Sequence, residues 1–174
     1  MRELERTFLA RYLPQGIASF GCKEIIDIYI PKGSRHPALR LRKSGERYEI
    51  TKKEPVKEGD ASHMNEQTIK LTREEFDTLK RVHGKIVHKF RYRYPFGEHT
   101  AEIDVFQESL EGLVIIDFEF TSLEKKDAFK MPEFCLAEVT QDEALAGGML
   151  CGKSYEDIEP ALEKYGYRRL ASGS

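Results

Sequence analysis

Two glutamates near the start of the chain have the side-chain type and the spacing of a divalent-cation site. Glu3 and Glu5 stand in the segment Arg2-Glu3-Leu4-Glu5-Arg6-Thr7-Phe8-Leu9. In a strand, side chains two positions apart share a face and lie roughly 6.5–7 Å from each other. Leu4 and Phe8 then occupy the opposite face, where they can anchor an apolar layer. For one strand alone, a solvent-exposed sheet face explains these two glutamates better than a cation site does. Evidence for a site must therefore come from the other strands.

The elements that position such residues are predicted to be mainly strands. Alternation of polar and apolar residues with period two indicates strands at 2–11, 22–31, 37–43, 46–54, 64–71, 85–95, 99–107 and 113–121. The turns Ser44-Gly45 and Pro95-Phe96-Gly97-Glu98 predict antiparallel hairpins.

Helices are predicted to be fewer than strands. Thr72 and Glu75 form a capping box that begins a helix over 72–84. Further helices are expected over 122–130, 143–145 and 154–165. Thr140 is the expected N-cap of the short segment 143–145, and Gly147-Gly148 is expected to stop it.

Most of the predicted strands have a charged face and an apolar face, and the charges are sorted by sign. The acidic faces carry Glu3 and Glu5, Glu102 and Asp104, and Asp117 and Glu119; the basic faces carry Arg40 and Arg42, and Lys89, Arg91 and Arg93. Like charges on neighbouring positions repel, so this sorting favours an object between the two sets. A polyphosphate on the basic side chains and a Mg²⁺ or Mn²⁺ ion on the acidic ones would meet that description.

The same pattern predicts the fold. An antiparallel sheet whose polar face surrounds a ligand, and whose apolar face is covered by helices, closes most naturally into a barrel. We therefore expect an α+β, mainly β fold: an eight-stranded antiparallel closed tunnel with a charged interior and helices packed outside. One domain is expected over residues 1–170, followed by a flexible tail at 171–174.

Composition narrows the possible partners and the compartment. The 174 residues include 28 basic and 30 acidic side chains, a net charge of −2 that argues against nucleic-acid binding driven by bulk charge. No run of about 18 apolar residues is present, and the charged N-terminus does not resemble a signal peptide. Cys22, Cys135 and Cys151 have neither metal-ligand nor disulfide spacing. We expect a cytoplasmic monomer or homodimer that binds a small molecule, without a membrane or nucleic-acid partner.

The order and spacing of these segments resemble the CYTH domain family, also called triphosphate tunnel metalloenzymes. The N-terminal signature Glu-x-Glu-x-Lys is matched by Glu3-Leu4-Glu5-Arg6-Thr7, and the late Glu-Val-Thr element by Glu138-Val139-Thr140. The basic strands match at 39–42, 50–53 and 89–92, and the acidic strands at 101–106 and 116–120. The resemblance runs from Arg2 to about Leu150. It implies an eight-stranded antiparallel tunnel that acts on triphosphates with a divalent metal.

Residue roles follow from this resemblance, position by position. It implies that the metal is held by Glu3, Glu5, Asp117 and Glu119. It implies that phosphate oxygens are bound by Arg40, Arg42, Lys53, Lys89 and Arg91. The catalytic set it implies is Glu5, Glu66, Glu102 and Asp104, which orient metal-bound water or serve a second metal. The short prokaryotic members are similar to inorganic triphosphatases, so hydrolysis of inorganic triphosphate with Mg²⁺ or Mn²⁺ is the expected activity.

Two other functions stay open. One is a class IV-type adenylyl cyclase, which would convert ATP to cAMP and need room for adenine. The other is a polyphosphate- or nucleotide-binding module without catalysis, because Thr7 stands where the signature has lysine. In addition, Ala146-Gly147-Gly148-Met149-Leu150 replaces a segment that carries Asn and Lys in short members. Incubation with triphosphate or ATP and a divalent metal distinguishes the three functions. A triphosphatase releases free phosphate, a cyclase forms cAMP and pyrophosphate, and a binding module binds the ligand without turnover.

Overall fold

Nine antiparallel strands form one sheet in the computed structural model, which describes residues 2–57 and 60–171 and only the backbone of Arg2 and Glu3. The strands are β1 (Arg2–Ala10), β2 (Cys22–Ile30), β3 (Leu39–Ser44), β4 (Arg47–Pro55), β5 (His63–Leu71), β6 (Lys85–Phe96), β7 (His99–Phe106), β8 (Val114–Phe120) and β9 (Cys135–Glu138). The helices are α1 (Arg73–Leu79), α2 (Leu123–Ala128), α3 (Gly147–Leu150) and α4 (Tyr155–Glu163). Short 3₁₀ turns lie at Ile17–Phe20, Glu108–Leu110 and Glu143–Leu145.

Eight of these strands close into a barrel. Neighbouring strands follow the order β5-β4-β3-β2-β6-β7-β8-β1, and β1 pairs back with β5. The first residues of β1 pair with β5, Glu3 opposite Met64, whereas its last residues pair with β9, Phe8 opposite Glu138. The predicted eight-stranded antiparallel tunnel is therefore confirmed. The ninth strand, β9, is an addition that extends the sheet beside the end of β1.

Alternation along the strands separates a lumen from an outer surface. Phe8 packs outside against Phe118 and Phe129, whereas its neighbour Leu9 packs inside with Phe106 and Ile115. Burying one such side chain contributes about 1.5–3 kcal/mol, so both layers fix the direction in which the strand faces. A shift of one residue in register would exchange the two layers, and the apolar contacts therefore hold the charged residues in the lumen.

Helices cover part of the outer surface, as predicted. Phe76 of α1 packs against Leu41 and Ile28. The capping box begins α1: Thr72 Oγ1 accepts from the Glu75 backbone N–H at 3.2 Å, and Glu75 Oε2 accepts from the Thr72 N–H at 2.7 Å. These reciprocal bonds satisfy two backbone donors that the first turn of a helix leaves free.

The C-terminal helices close one end of the barrel. At that end the inward positions change from charged to apolar, with Leu9, Val87, Phe106 and Ile115 in one buried cluster. Helices α3 and α4 cover this cluster with Leu150, Ile158 and Leu162. The charged part of the lumen is therefore blocked at this end by an apolar core.

The prediction for residues 140–148 is wrong in two respects. Asp142, rather than Thr140, caps the turn Glu143–Leu145, because its carboxylate accepts from the Ala144 backbone N–H at 3.1 Å. Gly147 and Gly148 begin α3 instead of ending a helix. Gly148 lets α3 lie close to His36 and Pro37 between β2 and β3, and Gly147 lets it lie close to Tyr29 of β2. The local sequence does not reveal these long-range contacts.

Three further observations concern the sequence-based expectations. Cys22, Cys135 and Cys151 are free thiols. None of the helices formed by residues 2–57 and 60–171 combines the length and the apolar character that a bilayer crossing requires. Residues 172–174 of the predicted tail lie outside the described part of the chain.

Candidate active site

Charged side chains of like sign are grouped around the lumen, the acidic ones on adjacent strands and the basic ones on both sides of β2. Strands β4, β3 and β6 carry what we call the basic arc: Lys53, Arg40, Arg42, Lys89 and Arg91. Strands β7, β8, β1 and β5 follow in the ring and carry the acidic arc: Glu102, Asp104, Asp117, Glu119, Glu5 and Glu66. The barrel thus brings the predicted site residues to one lumen. Glu3 is the exception, since its side chain lies outside what the structure describes.

Direct ion pairs between the two arcs correct the expectation that something must lie between them. Arg91 donates from Nε and Nη2 to the two carboxylate oxygens of Asp104 at 2.6 and 2.7 Å. Arg91 also contacts Glu102, and Lys89 contacts Asp104. Because β6 and β7 are adjacent, these opposite charges are cross-strand neighbours, which stabilise a sheet. Sorting the charges by strand is therefore stable without a ligand at this seam.

Carboxylates of the acidic arc, in contrast, include like-charged direct partners. Glu5 lies opposite Glu119, and Glu102 lies opposite Asp117. Two negative charges directly opposite each other destabilise a sheet unless cations neutralise them. Lys53 supplies one such cation, since its Nζ donates to Glu5 Oε1 at 2.9 Å.

The donor set of the acidic arc fits a hard divalent cation. Its oxygens are those of Glu5, Asp117 and Glu119, and Mg²⁺ is typically bound through one or two carboxylates plus several waters. In the part of the chain that the structure describes, no three acidic, histidine or cysteine side chains already converge as metal ligands.

Hydroxyl groups orient two carboxylates of the acidic arc. Thr7 Oγ1 donates to Asp117 Oδ1 at 2.8 Å, and Arg91 Nη2 lies 3.6 Å from Asp117 Oδ2. Thr68 Oγ1 donates to Glu66 Oε1 at 2.9 Å. Thr7, which stands where the family signature has lysine, thus contacts Asp117 through a neutral hydroxyl rather than through a positive charge.

Asp27 on β2 is a lumen residue that the sequence-based reasoning missed. Its carboxylate accepts from Arg42 Nε and Nη2, each at 2.7 Å, and is 1% exposed. A signal was available, because Asp27 is the single charged residue in the apolar run Ile25–Ile30 and buried charges are almost always paired.

One hydrogen-bond donor of the basic arc has no partner among the described residues. Arg40 Nε lies 3.8 Å from Asp27 Oδ1, and it is a buried donor without a hydrogen-bond partner among the described residues. A buried unsatisfied donor costs about 1–3 kcal/mol, and more when it is charged. An anionic oxygen in the lumen beside Arg40 would remove that cost.

Two buried carboxylates of the lumen remain ionised near neutral pH. Burial raises the pKa of Asp104, but the charges of Arg91 and Lys89 outweigh burial and lower this pKa to about 2. Burial likewise raises the pKa of Asp27, and the charges of Arg42 and Arg40 reverse the effect, so that it lies well below its usual value. Both carboxylates therefore act as fixed negative charges behind the basic arc.

The lumen opens to solvent at the end away from the apolar core. A cavity of about 230 Å³ there is lined by Arg93, Glu98, His99, Thr100, Glu102, Glu119, Phe120, Thr121 and Lys125. The side chain of Arg93 is 63% exposed at this mouth. The rim carries Arg93 and a Lys125–Glu98 pair, and the carboxylates of Glu102 and Glu119 also line the cavity, so an anion with its counter-cation can approach both arcs here.

A closed antiparallel barrel with basic and acidic arcs around one lumen defines a class of tunnel domains suited to polyanions and divalent cations. The model of the CYTH domain family matches residues 1–131. This chain belongs to the CYTH domain family, and the resemblance seen in the sequence is confirmed.

Two curated relatives carry the same name. The inorganic triphosphatase of Nitrosomonas europaea is 32% identical over 145 residues, which cover 82% of this chain and 91% of that protein. The inorganic triphosphatase of Acetivibrio thermocellus is 31% identical over 74 residues, 42% of this chain and 46% of that protein.

Solved structures agree with the fold. The crystal structure of an inorganic triphosphatase superposes with a TM-score of 0.62 at 26% identity, covering 86% of this chain and 93% of that one. A putative adenylate cyclase of Bacillus halodurans superposes with a TM-score of 0.52 at 14% identity, covering 99% of this chain and 95% of that one. At that identity the second similarity concerns the fold alone.

Proposed function

We propose that this protein hydrolyses inorganic triphosphate with the help of a divalent cation, Mg²⁺ or Mn²⁺. The observation that supports it best is the meeting of two arcs of opposite sign in one lumen blocked at one end, with a buried Arg40 donor left unpaired among the described residues. The similarity to two inorganic triphosphatases supports the same substrate. A cytoplasmic location, inferred from the free thiols, belongs to the same proposal.

Each arc has a distinct part in this proposal. Arg40, Arg42 and Lys89 bind phosphate oxygens and stabilise the charge that develops on them as the phosphoanhydride bond breaks. Glu5, Asp117 and Glu119 would hold the divalent cation, with Glu3 at the start of the same strand. When bound, that ion supplies charge neutralisation and a more acidic water.

The remaining carboxylates are assigned by their contacts. Glu66 and Glu102 lie in the acidic arc, where they can orient the attacking water. Asp104 is 1% exposed and both of its oxygens bind Arg91. We therefore assign Asp104 to holding Arg91 in place, in preference to the water-orienting role that the family resemblance implies.

Replacement of Glu5 tests the site. We expect Glu5→Gln to reduce phosphate release from triphosphate at least about 100-fold, because it removes a charge from the pair Glu5–Glu119 while keeping the side-chain size. Release of phosphate is measured with Mg²⁺, with Mn²⁺ and with a chelator. Binding of Mn²⁺, followed by calorimetry in the absence of triphosphate, reports the site independently of turnover.

Glu54→Gln is the matched control. Glu54 lies on the outer face of β4, where its 57%-exposed side chain pairs with Lys52, so both the rate and Mn²⁺ binding should equal those of the wild type. Undiminished hydrolysis by Glu5→Gln would refute the site. Formation of cAMP and pyrophosphate from ATP would favour a cyclase instead, and binding without turnover would favour a binding module.

A further inference from the structure

Asp27 places a negative charge in the middle of the basic arc. Its strand, β2, is the one that separates β3 from β6 in the ring. Asp27 lies directly opposite Arg42 on β3, and its neighbour Ile25 lies opposite Lys89 on β6. A carboxylate at this position is surrounded by the cations that bind phosphate oxygens in the proposed function.

The contact with Arg42 uses one full edge of the guanidinium. Nε and Nη2 of Arg42 donate in parallel to Oδ1 and Oδ2 of Asp27, each at 2.7 Å. This is the same two-point geometry by which arginine binds a phosphate group. While Asp27 holds that edge, a phosphate in the lumen cannot make the same contact with Arg42.

Loss of the carboxylate would leave Arg42 without its partner. A buried cation deprived of its counter-charge is strongly destabilised, because desolvation is no longer offset. An anion that enters the lumen would then remove this penalty, so the ligand-free protein would lose more stability than the complex. By linkage, that difference appears as tighter anion binding.

We propose that Asp27 is an internal competitor for Arg42, which weakens the binding of phosphate groups to the basic arc and so tunes the affinity for substrate and product. This inference rests on the proposed function for the identity of the anion. Asp27 acts on the ligand through Arg42 and makes no contact with the reacting atoms. Its effect is expected on KM and on product inhibition rather than on the chemical step.

Calorimetry with Asp27→Asn tests the competition. With Mg²⁺ present, the variant should bind both triphosphate and pyrophosphate about tenfold more tightly or more, since a hydrogen bond to a charged group contributes enough for that change. In steady-state assays the KM for triphosphate and the inhibition constant of pyrophosphate should fall together, and kcat should not rise. If the variant is unfolded in the absence of ligand, triphosphate should restore its folded state. The concentration required should be lower than the concentration at which triphosphate measurably stabilises the wild type.

A double variant shows whether the effect passes through Arg42. Asp27→Asn combined with Arg42→Gln removes the competitor and the guanidinium together, so its affinity for triphosphate should not exceed that of the wild type. If the double variant bound triphosphate as tightly as Asp27→Asn does, the proposed role of Arg42 would be overturned. Unchanged or weaker binding by Asp27→Asn, or its failure to regain structure with triphosphate, would overturn the inference as a whole.

The control is a carboxylate of similar chemistry outside the lumen. The side chain of Asp142 is 9% exposed, binds Lys164 at 2.6 Å and accepts from Tyr165 at 2.9 Å. Asp142→Asn should lower stability without changing the affinity for triphosphate. If wild-type protein binds no triphosphate at all, the proposed function and the inference both fail. If it binds triphosphate and Asp27→Asn binds no better, the inference alone fails.

Discussion

Thr7 is the position at which this chain departs from its family signature, and its hydroxyl has a defined contact with Asp117 at 2.8 Å. A lysine here would bring a cation into the acidic arc, within reach of Asp117 and of a bound triphosphate. We predict that Thr7→Lys lowers the KM for triphosphate about tenfold, because a charge-assisted contact is roughly twice as strong as a neutral one. Phosphate release at a fixed Mg²⁺ concentration measures the change.

Gln67→Lys provides the comparison for this prediction. Gln67 is an exposed residue on the outer face of β5, so the variant adds the same charge outside the lumen. At 0.15 M salt an exposed charge more than about 8 Å from the ligand is largely screened, and the KM should stay at the wild-type value. Equal KM values for Thr7→Lys and the wild type would show that triphosphate does not lie beside Thr7.

At the level of single residues, parity predicted which side chains face the lumen but not what each of them contacts. Asp104 and Arg91 were placed on faces of opposite sign, yet their two-point pairing depends on the register of β6 against β7. The turn sets the register of a hairpin, here the two residues Gly97-Glu98, whereas the predicted strands 85–95 and 99–107 left three residues between them. Asp27 was missed because its neighbours are apolar and suggest a core strand, although that isolation was itself the signal.

Helix α3 is held close to the strands at the blocked end of the barrel, and Gly148 permits the approach. A Cβ added to Gly148 would lie 2.8 Å from the backbone oxygen of Pro37 and 2.6 Å from the His36 ring. Since a backbone atom cannot move aside cheaply, we predict that Gly148→Ala lowers the free energy of unfolding by about 1–3 kcal/mol. Thermal unfolding should show a melting temperature lower by several degrees.

Gly33→Ala is the reference for this change. A Cβ on Gly33 meets nothing within 4 Å, so the same methyl group should alter stability by no more than about 0.5 kcal/mol. A Gly148→Ala protein as stable as Gly33→Ala would mean that α3 is not packed against Pro37.

Long elements were predictable from the sequence, whereas two of the shortest, β9 and α3, were not. Strands β1 to β8 span enough residues for period-two alternation to show, and Thr72 with Glu75 marked the start of α1. Strand β9 and helix α3 have four residues each, too few for any period to appear. Their positions are set by distant partners, as in the bond from the Val139 N–H to the Thr7 carbonyl at 2.8 Å.

For the whole molecule, the sequence predicted a closed tunnel because so many strands had a charged face that needed burial together. It did not predict that the acidic strands would be neighbours in the ring, or that β2 would separate the basic strands β3 and β6. That order depends on the closure of β1 onto β5 and on β2 lying between β3 and β6. Pairings between residues far apart in the chain carry no local signal, so the two arcs become visible only in the folded barrel.

The buried carboxylates of the lumen make the stability of the whole barrel depend on acid pH. The pKa of Asp104 is lowered from 3.8 to about 2, and that of Asp27 lies below its usual range as well. A carboxylate whose pKa is lower in the folded than in the unfolded state stabilises the fold above its unfolded pKa, and this contribution is lost as pH falls. The free energy of unfolding should therefore decrease from about pH 4 to pH 2, by about 2 kcal/mol for Asp104 alone.

Urea unfolding of the wild type and of Asp27→Asn at several pH values between 7 and 2 measures this dependence. The variant has one fewer depressed carboxylate, so its stability should start lower at pH 7 but fall less steeply as the pH approaches 2. Glu54→Gln removes a carboxylate from the exposed outer face and serves as the control. Parallel curves for Asp27→Asn and the wild type would contradict the ion pair with Arg42, because only a carboxylate that is charged in the folded lumen gives the wild type its steeper fall.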